Sequence, residues 1–147
     1  MVQVVLPNDA NPLGFILGGT VMHLIDIAGA IACHRHSRSR VVTAAVDDLV
    51  FLHPIKVGDL IILQSRVTCT FVTSHEAQVD VYSEETLTGK RLLTSRAFLT
   101  FVAVGRDGSR VPVTPLLVET HEERRVAEEA RARRKERLKK KWPTKSP

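Results

Sequence analysis

The chain is expected to fold as an α+β domain in which an antiparallel sheet wraps one long helix, and three features say so. Residues 11–33, "NPLGFILGGTVMHLIDIAGAIAC", contain an apolar run whose only strongly polar side chains between Gly18 and Cys33 are His23 and Asp26. A helix that is apolar on nearly every side is a buried one. Downstream, segments alternate apolar and polar residues with the period of two that marks half-buried strands. The 147 residues, 44% hydrophobic and 25% charged, suffice for one core.

The elements follow in order. Val2 to Leu6 reads as a short strand closed by the turn formers "PNDANP". The buried helix starts near Gly18-Gly19 and ends around "HRHSRSR", where Arg35, Arg38 and Arg40 suit the negative end of its dipole. The run is short of the ~20 apolar residues that span a bilayer. "VVTAAVDDLVF" is β-branched and extended, with "HPIKVGD" as the turn after it. "LIILQSRVTCTFV" puts Leu63, Ser65, Val67, Cys69 and Phe71 on one face of a strand. "HEAQVDVYS" sets Ala77, Val79 and Val81 against Glu76, Gln78, Asp80 and Tyr82. "EETLTGKR" turns into the long strand "LLTSRAFLTFVAV", "GRDGS" turns again, and "VPVTP" closes the sheet as a short edge segment.

The net charge of +5 is unevenly spread. Residues 1–118 carry ten basic and ten acidic side chains, whereas 119–141, "ETHEERRVAEEARARRKERLKKK", carry ten basic and six acidic. The pI of 9.6 therefore belongs to a C-terminal extension. With few apolar residues and i, i+4 pairs such as Glu129–Arg133 and Glu136–Lys140, that extension (119–147, after a domain at 1–118) reads as a solvated helix. The sharper alternatives are a subunit-contact arm or an attractor of polyanions. Nothing in the body resembles a nucleic-acid surface. The start carries no basic-then-apolar leader, and Cys33 and Cys69 sit singly in apolar elements like free buried thiols. A cytoplasmic protein without a nucleic-acid or membrane partner, and without a metal, is expected.

The chemistry gathers at the start of the helix. Gly18 and Gly19 leave amide donors at a helix N-terminus, able to polarise a carbonyl oxygen. Asn11 stands in the preceding turn with a side-chain donor and acceptor, and Asp26 lies two turns inside. A water held between that carboxylate and an amide, beside a polarised carbonyl, is a hydrolytic arrangement. The bland readings are an Asn-Pro turn, a tight helix entry and a carboxylate paired within the fold. His23, three residues before Asp26, is read as a structural neighbour, and His34 and His36 as a solvated helix end.

The ordered set Asp9-Ala10-Asn11, Gly14, Gly18-Gly19-Thr20, Asp26, Ala28-Gly29-Ala30-Ile31-Ala32 and Arg35-His36, then "VVTAAVDDLVFLHPIKVGD", "FVTSHEAQVDVYSEETLTG", "AFLTFVAV" and "VPVTP", resembles the hotdog-fold acyl-CoA thioesterases. Within them it is similar to the cytosolic, brain-type acyl-CoA hydrolases, from about residue 3 to the basic extension. The resemblance implies a hotdog fold, pairing into homodimers and on to trimers of dimers, and hydrolysis of fatty acyl-CoA to fatty acid and CoA. It implies no cofactor, CoA being part of the substrate. It gives Asp26 the role of general base or nucleophile, Asn11 that of positioning water or substrate across the dimer interface, and the Gly18-Gly19 amides, Gly19 above all, that of an oxyanion hole. Thr43, Thr73 and Ser74 match positions lining the CoA groove. Leu17 departs from the His or Phe common there, which implies a differently shaped acyl tunnel. The competing readings are a non-catalytic acyl-CoA sensor and a hotdog dehydratase, for which His23 is the one candidate base.

Overall fold

A computed structural model describes residues 1–140 and Trp142; the end of the charged extension, residues 141 and 143–147, lies outside the described residues. The strands are β1 (Val2–Val4), β2 (Arg40–Phe51), β3 (Leu60–Thr70), β4 (Ser74–Glu84) and β5 (Arg91–Val104), and the α-helices are α1 (Gly18–Ser37) and α2 (His121–Lys139). The sheet order is β1-β3-β4-β5-β2, antiparallel throughout. The helix is thus wrapped on one face by the hotdog sheet that the resemblance implies. α2 lies against the other face.

The core between α1 and the sheet follows the period-two reading. Ala77, Val79 and Val81 of β4 are fully buried and meet Val21, Ile25 and Ala28 of α1 in one cluster. Gly29 permits the close approach. A Cβ there would lie 3.0 Å and 3.1 Å from two ring atoms of Phe101, so the small residue is a packing requirement. Arg38 closes α1 in the left-handed conformation, φ 56°, and its amide donates to the His34 carbonyl at 2.8 Å.

Four expectations need correction. α1 is not buried on every side: Met22, Ile27 and Ile31 are exposed across its outer face, and the edge strand β2 leaves Val42, Val46 and Val50 exposed as well. The face pattern of β3 breaks at a β-bulge between Val67 and Cys69. Val67 packs with α1 while Cys69 joins a second cluster with Ala127 and Ala130 of α2. "VPVTP" is not a strand of the sheet; it crosses the sheet end as a strap, with Val113 N–H donating to the Val72 carbonyl at 2.9 Å.

The extension, finally, is not a solvated helix. α2 begins at Thr120, whose side chain accepts from the Glu123 amide, and buries Val126, Ala127 and Ala130. Its arginines reach the sheet instead of the expected neighbours. Arg133 grips Glu76 through Nε and Nη2 at 3.0 Å and 2.8 Å, and Arg137 bonds Asp47 at 2.6 Å. Arg133 also stacks 3.6 Å from the centre of the Phe98 ring, and Arg134 4.6 Å from that of Phe71. Glu129 pairs with Arg125 and Glu136 with Lys139. Glu76, read as an outward polar residue, is therefore 1% exposed.

Candidate active site

Asp26 sits half-buried in the middle of α1 and faces β2. Thr43 of that strand donates its hydroxyl to Asp26 Oδ1 at 2.6 Å. The ladder between β2 and β5 slips immediately after Thr43, and such bulges re-aim a side chain. Thr43, expected among the CoA-groove residues, is thus the hydrogen-bond partner that fixes one oxygen of the carboxylate. The other oxygen has no protein donor among the described residues.

Asn11 occupies the loop before α1. Its Oδ1 accepts from the amides of Leu13 at 3.0 Å and Phe15 at 3.2 Å, which locks the Asn-Pro turn. The Nδ2 donors stay without a protein acceptor among the described residues. Asn11 lines a cleft of about 290 Å³ at the N-terminal end of α1, where Phe15, Phe51 and Ile55 meet the polar side chains of His53 and Ser95. Asp26 does not line it.

Leu17 precedes the helix in extended conformation, φ −67°, ψ 137°. Thr20 and Val21 both donate to its carbonyl, at 3.0 Å and 3.1 Å, so the amides left over at this helix start are those of Gly18 and Gly19. They find no acceptor among the described residues and carry the positive end of the dipole. Phe51 closes over Gly18 at 3.6 Å from where a Cβ would stand, while Gly19 has open space.

Seven residues separate Gly19 from Asp26, roughly 10 Å along the axis at 1.5 Å per residue. One thioester group cannot touch both within a single chain. Thr73 and Ser74 lie farther still, in the turn and strand start that pack at the C-terminal end of α1: the Ser74 carbonyl accepts from Phe71, that of Thr73 from Ala103. The fold brings Thr43 to Asp26 and Asn11 to Gly18, but it does not bring these pairs together with each other or with Thr73-Ser74. His23 is exposed on the helix surface, His34 bonds the Ser39 carbonyl, and His36 the Thr114 carbonyl at 2.7 Å.

Sequence reasoning missed His75. It is wholly buried, with Nδ1 3.0 Å from the Phe101 carbonyl and Nε2 3.3 Å from both the Cys33 carbonyl and Ser37 Oγ. Burial pushes its pKa below the ordinary value, against the opposing pull of those carbonyls. The signal was available, because His75 shares parity with Ala77 and Val79 on the core face of β4. Burial also pushes the Cys33 thiol up to about 12 and raises that of Cys69, so neither is a nucleophile. Among the described residues, no group of three His, Cys, Asp or Glu side chains is placed to hold a metal ion, and no helix is long and apolar enough to cross a membrane.

Comparison with known proteins bears on this geometry. A model of the thioesterase superfamily matches residues 13–90. An uncharacterised acyl-CoA thioester hydrolase of Bacillus subtilis is 41% identical over 81% of this chain and 69% of its own length. The cytosolic acyl coenzyme A thioester hydrolase of Homo sapiens is 33% identical over 90% of this chain. This chain spans only 36% of that human relative. Among solved structures, an apo-hexameric acyl-CoA thioesterase superposes with a TM-score of 0.89 at 43% identity, covering 95% of this chain and 89% of that one. An acyl-CoA hydrolase from Staphylococcus aureus, solved with butyryl coenzyme A, coenzyme A and coenzyme A disulfide, gives 0.85 at 31% identity over 94% and 84%. That enzyme has also been solved with an Asp, an Asn or a Thr replaced by Ala.

Proposed function

The chain belongs to the thioesterase superfamily, and we propose that within it the protein hydrolyses the thioester of fatty acyl-CoA to free acid and CoA. The observation that carries this reading is the carboxylate of Asp26, held by Thr43 at 2.6 Å on a half-open face of α1. The three substituted residues of the Staphylococcus aureus enzyme are an Asn, an Asp and a Thr spaced 15 and then 17 positions apart. Asn11, Asp26 and Thr43 have the same spacing.

The inferred mechanism needs two chains. The apolar side chains exposed on α1 and the uncovered edge of β2 favour a homodimer, which carries each Asp26 toward the partner's helix start. Hexameric neighbours support a further trimer of such dimers. At the shared site the amides of Gly18 and Gly19 polarise the thioester carbonyl, and Asn11 Nδ2 positions water or substrate. Asp26 takes a proton from that water as it attacks the carbonyl carbon. The tetrahedral oxyanion then collapses, the C–S bond breaks, and the CoA thiolate leaves and is protonated. Direct attack by Asp26 through an anhydride is the variant of the same site. No cofactor enters this scheme, and Thr73 and Ser74 are assigned to the CoA end of the substrate. A cytosolic relative supports a cytoplasmic location.

Thiol release from acyl-CoAs of short to long chain, by the native protein and by Asp26→Asn, tests the reading. Loss of ~100-fold or more in kcat with the fold intact is expected from removing the base. Binding of CoA esters without any thiol release by the native protein would replace the hydrolase with a sensor.

A further inference from the structure

We propose that the C-terminal end of α2 is a docking surface for lipid bilayers that carry anionic headgroups. Residues 131–142 contain eight Lys and Arg against one carboxylate, Glu136. Two of these cations are occupied, Arg133 by Glu76 and Arg137 by Asp47, and a third, Lys139, lies 3.1 Å from Glu136. Arg131, Lys135 and Lys140 are exposed and pair with no carboxylate among the described residues. These two pairs, the first on the buried Glu76 and the second half-buried, clamp the helix to the sheet, so the free cations project from a rigid support.

Positive charge alone at this end would need no partner, because cations stabilise a helix C-terminus and the acidic residues of α2 cluster in its first half. The apolar side chains set among the cations are what the dipole leaves unexplained. Leu138 is 64% exposed and Trp142, the single tryptophan of the chain, 69%. Leu138 follows Arg131 and Lys135 by seven and three positions, so it shares a side of α2 with both, and it lies beyond the part of the helix that buries Val126, Ala127 and Ala130. Long apolar and aromatic groups amid lysines are the chemistry of an interfacial anchor: the rings and methyls enter the headgroup boundary while each nearby cation meets anionic lipid. A nucleic-acid partner would use the same charges but leave Leu138 without a role, which favours the lipid. The surface goes beyond the hydrolase reading and does not depend on it.

Flotation of the full-length protein with vesicles tests this. Vesicles of phosphatidylcholine alone, and of phosphatidylcholine with about one third phosphatidylserine, serve as probes. Binding to the anionic vesicles is expected to be at least ~10-fold tighter and to weaken as salt rises. Leu138→Ser/Trp142→Ala and Lys135→Glu/Lys140→Glu should each weaken it by ~10-fold or more. All four positions are exposed and outside the catalytic machinery, so hydrolysis of a soluble short acyl-CoA stays at the native rate. No binding to either vesicle overturns the proposal, as does undiminished binding by Leu138→Ser/Trp142→Ala, which would reduce the surface to bare charge. Binding of single-stranded RNA without vesicle binding overturns it too. Vesicle binding by a protein that releases no thiol would leave the docking surface standing and remove the hydrolase reading instead.

Discussion

Arg133→Met strips a buried carboxylate of its cation. Glu76, 1% exposed, receives two bonds from Arg133 at 2.8 Å and 3.0 Å and one from the Thr68 hydroxyl at 2.6 Å. Without Arg133 the carboxylate keeps a single donor in a site sealed by α2. Breaking a buried pair by removing one partner costs about 3–5 kcal/mol, largely the penalty of the charge left behind. The lost stacking over Phe98 falls inside that range. Against a typical domain stability of about 5–15 kcal/mol this is about a fifth or more. At roughly 3–4 °C per kcal/mol for a chain of this size, Tm should fall by about 10–20 °C. Thermal and urea unfolding followed by circular dichroism, at one fixed protein concentration because assembly shifts apparent stability, gives the number. Replacing both partners, Glu76→Leu with Arg133→Met, should return most of the loss, since an apolar pair of similar volume is close to neutral. A loss under about 1 kcal/mol for Arg133→Met, or a double variant as unstable as the single one, would refute the argument and return α2 to the status of a loosely attached helix.

Other measurements probe the site and the core. Thr43→Val removes the donor on Asp26 while keeping shape, and should lower kcat by about 10-fold with little change in KM, because positioning of the carboxylate matters most in the transition state. His75, whose folded pKa is depressed, makes stability rise with pH: its contribution is whole above its ordinary value near 6.5 and is lost as pH falls below it, at up to about 1.4 kcal/mol per pH unit. Melts from pH 7.5 to 5.5 should show that slope in the native protein and a shallower one in His75→Gln. Both cysteines should resist an aromatic disulfide reagent in the folded protein and release two thiols per chain after denaturation. Gly29→Ala should destabilise by about 1–3 kcal/mol, read by urea unfolding, since its methyl group enters the Phe101 ring space.

The sequence by itself determined the architecture, because periodicity is a local property. The period of two in β4 placed Ala77, Val79 and Val81, and the apolar run from Gly18 to Cys33 placed α1, without knowledge of any long-range contact. Asp26 declared itself by the same logic, as a carboxylate out of keeping with its helix. Tertiary structure decided whatever depended on which surfaces meet. Glu76 reads as a solvent-facing strand residue until α2 covers it, and Arg133 reads as a helix-surface residue until Glu76 lies beneath it; 57 positions separate the two, beyond the reach of any local pattern. A bulge between Val67 and Cys69 shifted β3 from one face to the other, and no residue type marks such a slip in advance. Periodicity likewise makes Thr43 one more β-branched residue of its strand, and the resemblance assigned it to the CoA groove and not to Asp26. Only the packing of β2 across the middle of α1 turned its hydroxyl onto Asp26, since a hydrogen bond of 2.6 Å is set by the meeting of two elements and by neither alone.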